Sequence, residues 1–127
     1  MKIITRKEFL KIEGQVLYSK FSPMVFQGFE IKLGNTGTND WVCDQLDPSC
    51  IKSESSDETF EILTRLEEQA KTPGEAVDCA MDFNCSGRDG LYEADDTLIA
   101  VYNEADVLAL TERLLELLPG YTLVKKD

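Results

Sequence analysis

Met24 to Leu33 alternates, first at Phe26 and Gly28 and then clearly at Phe29, Ile31 and Leu33, with Glu30 and Lys32 between them. A period of two predicts a strand whose Phe29, Ile31 and Leu33 face is buried and whose Glu30 and Lys32 face is wet. The polar run over residues 34–40 reads as a turn, and Trp41-Val42-Cys43 resumes an extended pattern, so the pair predicts a hairpin. Asp47-Pro48 breaks it. Upstream, Ile3-Ile4 and Val16-Leu17-Tyr18 are short strand candidates rich in β-preferring side chains. Between them Thr5 sets up a helix cap, with Glu8 in the capping-box position, Phe9, Leu10 and Ile12 on the apolar side, and Gly14 as the stop.

Two longer helices follow from 3.6-residue spacing. The first, over 56–71, begins at a Ser55/Glu58 capping box. It carries Phe60, Leu63, Leu66 and Ala70 as a buried stripe widened by Ile62, and stops at Pro73-Gly74. The second, over 104–118, is capped by Asn103, with Asp106 favoured by the helix dipole in its first turn. Its core stripe is Val107, Leu110, Leu114 and Leu117, and Leu108, Leu115 and Leu118 are surplus to it. An apolar face that wide either lies deep in a core or meets another subunit, so a homo-oligomer is expected. Val77 to Asn84 reads as a strand, residues 86–90 as a tight glycine-flanked turn, and Thr97 to Tyr102 as a central strand. The tail from Tyr121 is a short strand or loose. Together these elements predict one α+β domain over residues 1–127. It has an antiparallel or mixed sheet of about five strands, two main helices and a short N-terminal helix.

Composition narrows the chemistry. The 127 residues hold 13 basic and 24 acidic side chains, a net charge of −11, and no histidine. Lack of histidine removes Ser-His-Asp and Cys-His catalysis and every His-ligated metal site. The negative charge argues against direct nucleic-acid binding and against anionic membranes. No apolar run approaches the ~20 residues of a membrane span, and Lys2, Arg6 and Lys7 interrupt any signal-peptide core. An intracellular, non-enzymatic protein without cofactor is expected. Cys43, Cys50, Cys79 and Cys85 are then reduced thiols. A zinc site would need Cys43 with Cys50 and Cys79 with Cys85, at gaps longer than the two to four residues such sites prefer.

Few motifs stand above this background. Asp89, Glu93, Asp95 and Asp96 supply oxygen ligands, but they lack the order of a calcium loop and read as a solvated acidic turn. Gly34 and Gly37 lack the Lys-Ser or Lys-Thr of a P-loop. Arg88, in Gly87-Arg88-Asp89-Gly90, is held in a constrained turn from which a guanidinium clamps phosphate in a fork. The competing reading is an Asp-Gly hairpin turn with Arg88 paired to a nearby carboxylate. Arg113 edges the apolar side of the last helix. It either enters an intersubunit groove or lays its stem over the core edge with its head in water.

Several strings resemble small acidic phage and prophage proteins. They are Ile3-Ile4-Thr5-Arg6-Lys7-Glu8-Phe9-Leu10, Leu17-Tyr18-Ser19-Lys20-Phe21, the run from Asp82 to Leu91, and Ala100-Val101-Tyr102 with the helix beginning at Glu104. Within that group the chain resembles the anti-Thoeris sponge family. The resemblance implies a small α+β oligomer that sequesters cyclic ADP-ribose isomers, and in some members cyclic oligonucleotides, without altering them. It also implies residence in the bacterial host cytoplasm. The small nucleotide ligand would be held by Arg6, Arg88 and Arg113, with Phe83 or Tyr92 stacking on adenine. The late arginine of that family favours Arg113.

A charge of −11 repels a phosphate ligand at long range, so local basic groups must overcome it. The same charge suits a rival class directly: an acidic inhibitor or DNA mimic, anti-CRISPR-like, that occupies the basic groove of a host nuclease or repressor. An enzyme using Cys79 or Cys85 as nucleophile lacks a histidine base or any visible activating group.

Overall fold

The computed structural model describes residues 1–74, 78–88 and 93–127. Its elements run β1 (Lys2–Thr5), α1 (Arg6–Phe9), β2 (Val16–Ser22), β3 (Val25–Phe26), β4 (Glu30–Asn35), β5 (Trp41–Gln45), α2 (Ser56–Ala70), β6 (Ser86–Arg88), β7 (Leu98–Tyr102) and α3 (Glu104–Leu115). The fold is α+β. The strands form one antiparallel sheet in the order β1-β7-β2-β4-β5-β6, with β3 hairpinned onto β2. Seven strands stand among the described residues where about five were expected: the run Met24–Leu33 is not one strand but splits into β3, which folds back on β2, and β4, and the three-residue β6 is too short to announce itself. β7, the most apolar segment, was expected at the centre of the sheet; it is paired on both sides, between β1 and β2, but lies one strand in from the edge.

The helix starts follow their caps. Thr5 Oγ1 accepts from the Glu8 amide, Ser55 Oγ from the Glu58 amide, and Asn103 and Asp106 make a reciprocal capping box. The expected β4–β5 hairpin forms around the turn at residues 36–40, with a bulge between Lys32 and Gly34. That bulge keeps Asn35 on the α1 side, where its Nδ2 donates to Leu10 O at 2.8 Å.

The sheet is buried on the face opposite to the one its alternation predicts. In β4 it is Glu30 and Lys32 that are buried, while Ile31 and Leu33 are only half-buried. The inverted face carries the core: Phe9 from α1 packs with Tyr18, Trp41, Cys43, Ile99 and Val101. Phe9, Tyr18 and Trp41 meet in tilted and edge-on pairs with centroids 4.8–6.1 Å apart. Lys32 and Glu30 are tolerated there because each is hydrogen-bonded.

The opposite face is covered loosely. Val107, Leu110 and Leu114 of α3 approach Leu17, Ile31 and Leu46 across a hollow of about 370 Å³. No residue of α3 is fully buried, so its expected core stripe is a half-open seam. The correction is larger for α2: its stripe is not in the core, and Phe60 is 73% exposed. α2 is an excursion from the sheet. Its neck is closed by an Ile51–Met81 bridge, with Lys52 N donating to Ala80 O and Asp82 N to Cys50 O, each at 2.9 Å.

Of the strand expected over 77–84, only the bridge at Met81 forms, and residue 77 lies outside the described residues. Ser86–Arg88 is an edge strand on β5 instead of part of a tight turn, and Asp89 and Gly90 lie outside the described residues. The tail from Tyr121 forms no strand.

Candidate functional site

Arg6 and Arg88, expected as ligand-binding arginines, come to the same turn, Asn39-Asp40, and both are occupied there. Arg6 is 1% exposed at the start of α1. Its guanidinium donates to Asp95 Oδ1 at 3.0 Å, to Asn39 Oδ1 at 2.9 Å and to Asn39 O, and lies 5.9 Å from the Trp41 ring centre. That makes it a structural group that ties the first turn of the chain to the β4–β5 hairpin. Arg88 sits on the edge strand with Nε 3.8 Å from Asp40 Oδ2. The carboxylate-paired reading of Arg88 is thus the one seen, although its side chain is mostly exposed. Asp40 itself is buried and accepts from the Trp41 amide at 2.8 Å.

Arg113 lies elsewhere, on the exposed side of α3, with Nη1 2.8 Å from Glu116 Oε2. Beside it Leu114, Leu117 and Leu118 are half or more exposed. Phe83 is exposed, between Asp82 and Asn84, two residues that line the hollow described below. Tyr92 lies outside the described residues. The fold therefore brings Arg6 and Arg88 together but not Arg113.

The charge chemistry that alternation concealed is in the core. Tyr18 Oη donates to Glu30 Oε2 at 2.6 Å and accepts from Trp41 Nε1 at 2.8 Å. Burial, reinforced by the hydrogen bond to the Glu30 carboxylate, drives the Tyr18 hydroxyl pKa far above its ordinary value. Lys32 Nζ donates to Phe9 O at 2.9 Å and Ile12 O at 2.6 Å, satisfying carbonyls at the end of the α1 turn. Burial lowers the Lys32 pKa. The buried Tyr18, Glu30, Trp41 and Lys32 form a scaffold for β2, β4 and β5; they are closed to ligand.

Among the described residues a polar, open hollow of about 670 Å³ lies between the start of α2, its neck and β6. Cys50, Ser53, Ser55, Asp82, Asn84 and Cys85 contribute to its wall. The cysteine pairing differs from both spacings read in the sequence. Cys43 is in the core, whereas Cys50 and Cys85 meet, Sγ to Sγ, at 3.2 Å. Both thiols also point at Gln45 O, Cys50 at 3.3 Å and Cys85 at 3.8 Å. Burial first, and the Cys85 hydrogen bond second, push the Cys50 thiol pKa upward. Among the described residues no three Cys, Asp or Glu side chains gather as a metal cluster, and no helix is long and apolar enough to cross a membrane. Nothing short of the fold could have paired Cys50 with Cys85, which are 35 residues apart.

Comparison with protein-family models, curated proteins and solved structures gives no match.

Proposed function

We propose that the protein is a phage anti-defence sponge: a homo-oligomer joined through α3 that captures cyclic nucleotide-type immune signals, cyclic ADP-ribose isomers foremost, and performs no chemistry on them. The observation that carries this reading is the surface at the end of α3, which stops at Leu115 and not at 118: Leu114 and, just past the helix, Leu117 and Leu118 stand open beside Arg113. A contiguous apolar face of this kind marks an association surface. Burying it against a second copy would also draw Arg113 from water. A guanidinium so placed grips a pyrophosphate more strongly than an exposed one. In that reading Arg88, mostly exposed and held only at 3.8 Å by Asp40, supplies the second cation. The chain's lack of histidine agrees with capture in place of turnover.

The test is calorimetry with cyclic ADP-ribose isomers and cyclic oligonucleotides on the whole protein, followed by heat release and mass spectrometry. Tight, stoichiometric binding and release of unchanged ligand are expected. No binding to any of them would overturn the sponge.

α2 favours a second reading, an acidic inhibitor of a host defence nuclease or repressor. It projects from the sheet with Asp57, Glu58, Glu61, Glu67 and Glu68 around an exposed Phe60. A helix of that charge with an apolar anchor suits a basic groove. Pull-down of a basic host protein, weakening steeply with salt, would move the assignment to this reading.

A further inference from the structure

We propose that Cys50 and Cys85 form a reversible redox latch that closes the neck of the α2 excursion, independently of what the protein binds. The two thiols are already paired, 3.2 Å apart, and a disulfide bond at about 2.05 Å asks for roughly 1 Å of further approach. They differ in access: both stand in the wall of the polar hollow, but Cys85 is exposed and Cys50 is buried. That asymmetry sets the order of steps. With a low-molecular-weight disulfide as oxidant, Cys85 Sγ attacks one of its sulfurs, a mixed disulfide forms on Cys85, and one small thiol leaves with the Cys85 proton. Cys50 Sγ then attacks Cys85 Sγ, the mixed disulfide breaks, and the second small thiol leaves with the Cys50 proton. Two electrons pass from the cysteine pair to the small disulfide, and the protein loses two hydrogen atoms.

The location gives the bond its consequence. Cys50 O accepts from the Asp82 amide and Lys52 N donates to Ala80 O, so Cys50 is part of the neck. Cys85 directly precedes β6, the edge strand on β5. A bond between them ties the outgoing limb of the excursion to the sheet edge and encloses α2 in a covalent loop. α2 has no buried residue of its own to hold it, so this neck is its attachment. Cross-linking limits the freedom of the enclosed segment.

The experiment incubates the whole protein with oxidised glutathione, then blocks free thiols and digests with trypsin. Cys50 falls in the peptide 33–52 with Cys43, and Cys85 in the peptide 72–88 with Cys79, so fragmentation must place the link. Expected is a dithiothreitol-reversible link assigned to Cys50 and Cys85, lost in Cys85→Ser and kept in Cys79→Ser. Slower hydrogen exchange at the Lys52 and Asp82 amides is expected in the oxidised form. Glutathione retained on Cys85, a Cys79–Cys85 link or a Cys85–Cys85 dimer would overturn the pairing. Unchanged exchange at the neck amides would overturn the latch.

Discussion

Lys32 donates to the main-chain oxygen of Phe9 at 2.9 Å while its ammonium stands 4.7 Å from the centre of the Phe9 ring. One buried cation thus serves both the open end of a single-turn helix and the aromatic core above it. Lys32→Met keeps the stem and removes the donors, and should cost about 1–3 kcal/mol, the range for stranding a buried polar partner. Lys32→Ala should cost more, since it adds a cavity. Urea unfolding measures both; a Lys32→Met protein as stable as the parent would refute the capping role.

Tyr18 sets a limit on alkaline stability. The unfolded chain gives up this proton near the ordinary pKa of 10.0, whereas the folded chain holds it far higher. Above pH 10 the folded state therefore binds more protons, and stability falls as pH rises. Lys32 acts in the opposite sense. Its folded pKa lies below 10.5, so its contribution rises with pH in the window beneath that value. Tyr18→Phe should remove the fall above pH 10. At neutral pH it should cost about 1–3 kcal/mol, because Trp41 Nε1 and Glu30 lose their partner. Thermal midpoints from pH 7 to 11 measure both effects.

The three arginines should separate by experiment. Arg6→Ala breaks a buried set of charged hydrogen bonds, each worth roughly 1.5–3 kcal/mol, and should destabilise or unfold the domain. Arg113→Ala loses an exposed ion pair worth about 0–1 kcal/mol and should leave the midpoint nearly unchanged, whereas Arg88→Ala takes a cation from the buried Asp40 carboxylate and should lower it more, without unfolding the domain. In a sponge the same two variants should weaken capture by about 2–5 kcal/mol. Binding that survives both substitutions would place the ligand elsewhere.

Association through the end of α3 and the turn that follows it has its own test. Leu117→Asp with Leu118→Asp changes side chains that are at least half exposed. The circular dichroism spectrum should stay unchanged while the mass in light scattering falls. A monomeric parent protein at micromolar concentration would remove the oligomer.

Local signals were the legible part of this fold. Thr5, Ser55 and Asn103 cap their helices as their sequences announce, because a cap is settled within four residues. The strand at β4 was legible and its buried face was not. Alternation counts Glu30 and Lys32 as polar and sends them to water, but their partners, Tyr18 and the carbonyls of Phe9 and Ile12, come from other elements. α2 shows the converse failure. Phe60 and Leu63 have helical spacing, but spacing does not say whether a sheet lies opposite them. At the expected site Arg88 was legible as a held cation, while the burial of Arg6 depends on Asn39, 33 residues away.

The placement of β7 between β1 and β2 governs when the protein can exist at all during its own synthesis. Both flanking strands lie within the first 22 residues, whereas the strand that joins them ends at Tyr102. A nascent chain stalled before β7 carries β1 and β2 with no shared neighbour and leaves the core without Ile99 and Val101. Folding is therefore a late event, set by closure of a loop that spans most of the chain, and pairings of such long range form slowly. Until β7 emerges, the ribosome holds an open sheet edge, the form most exposed to aggregation and to proteases.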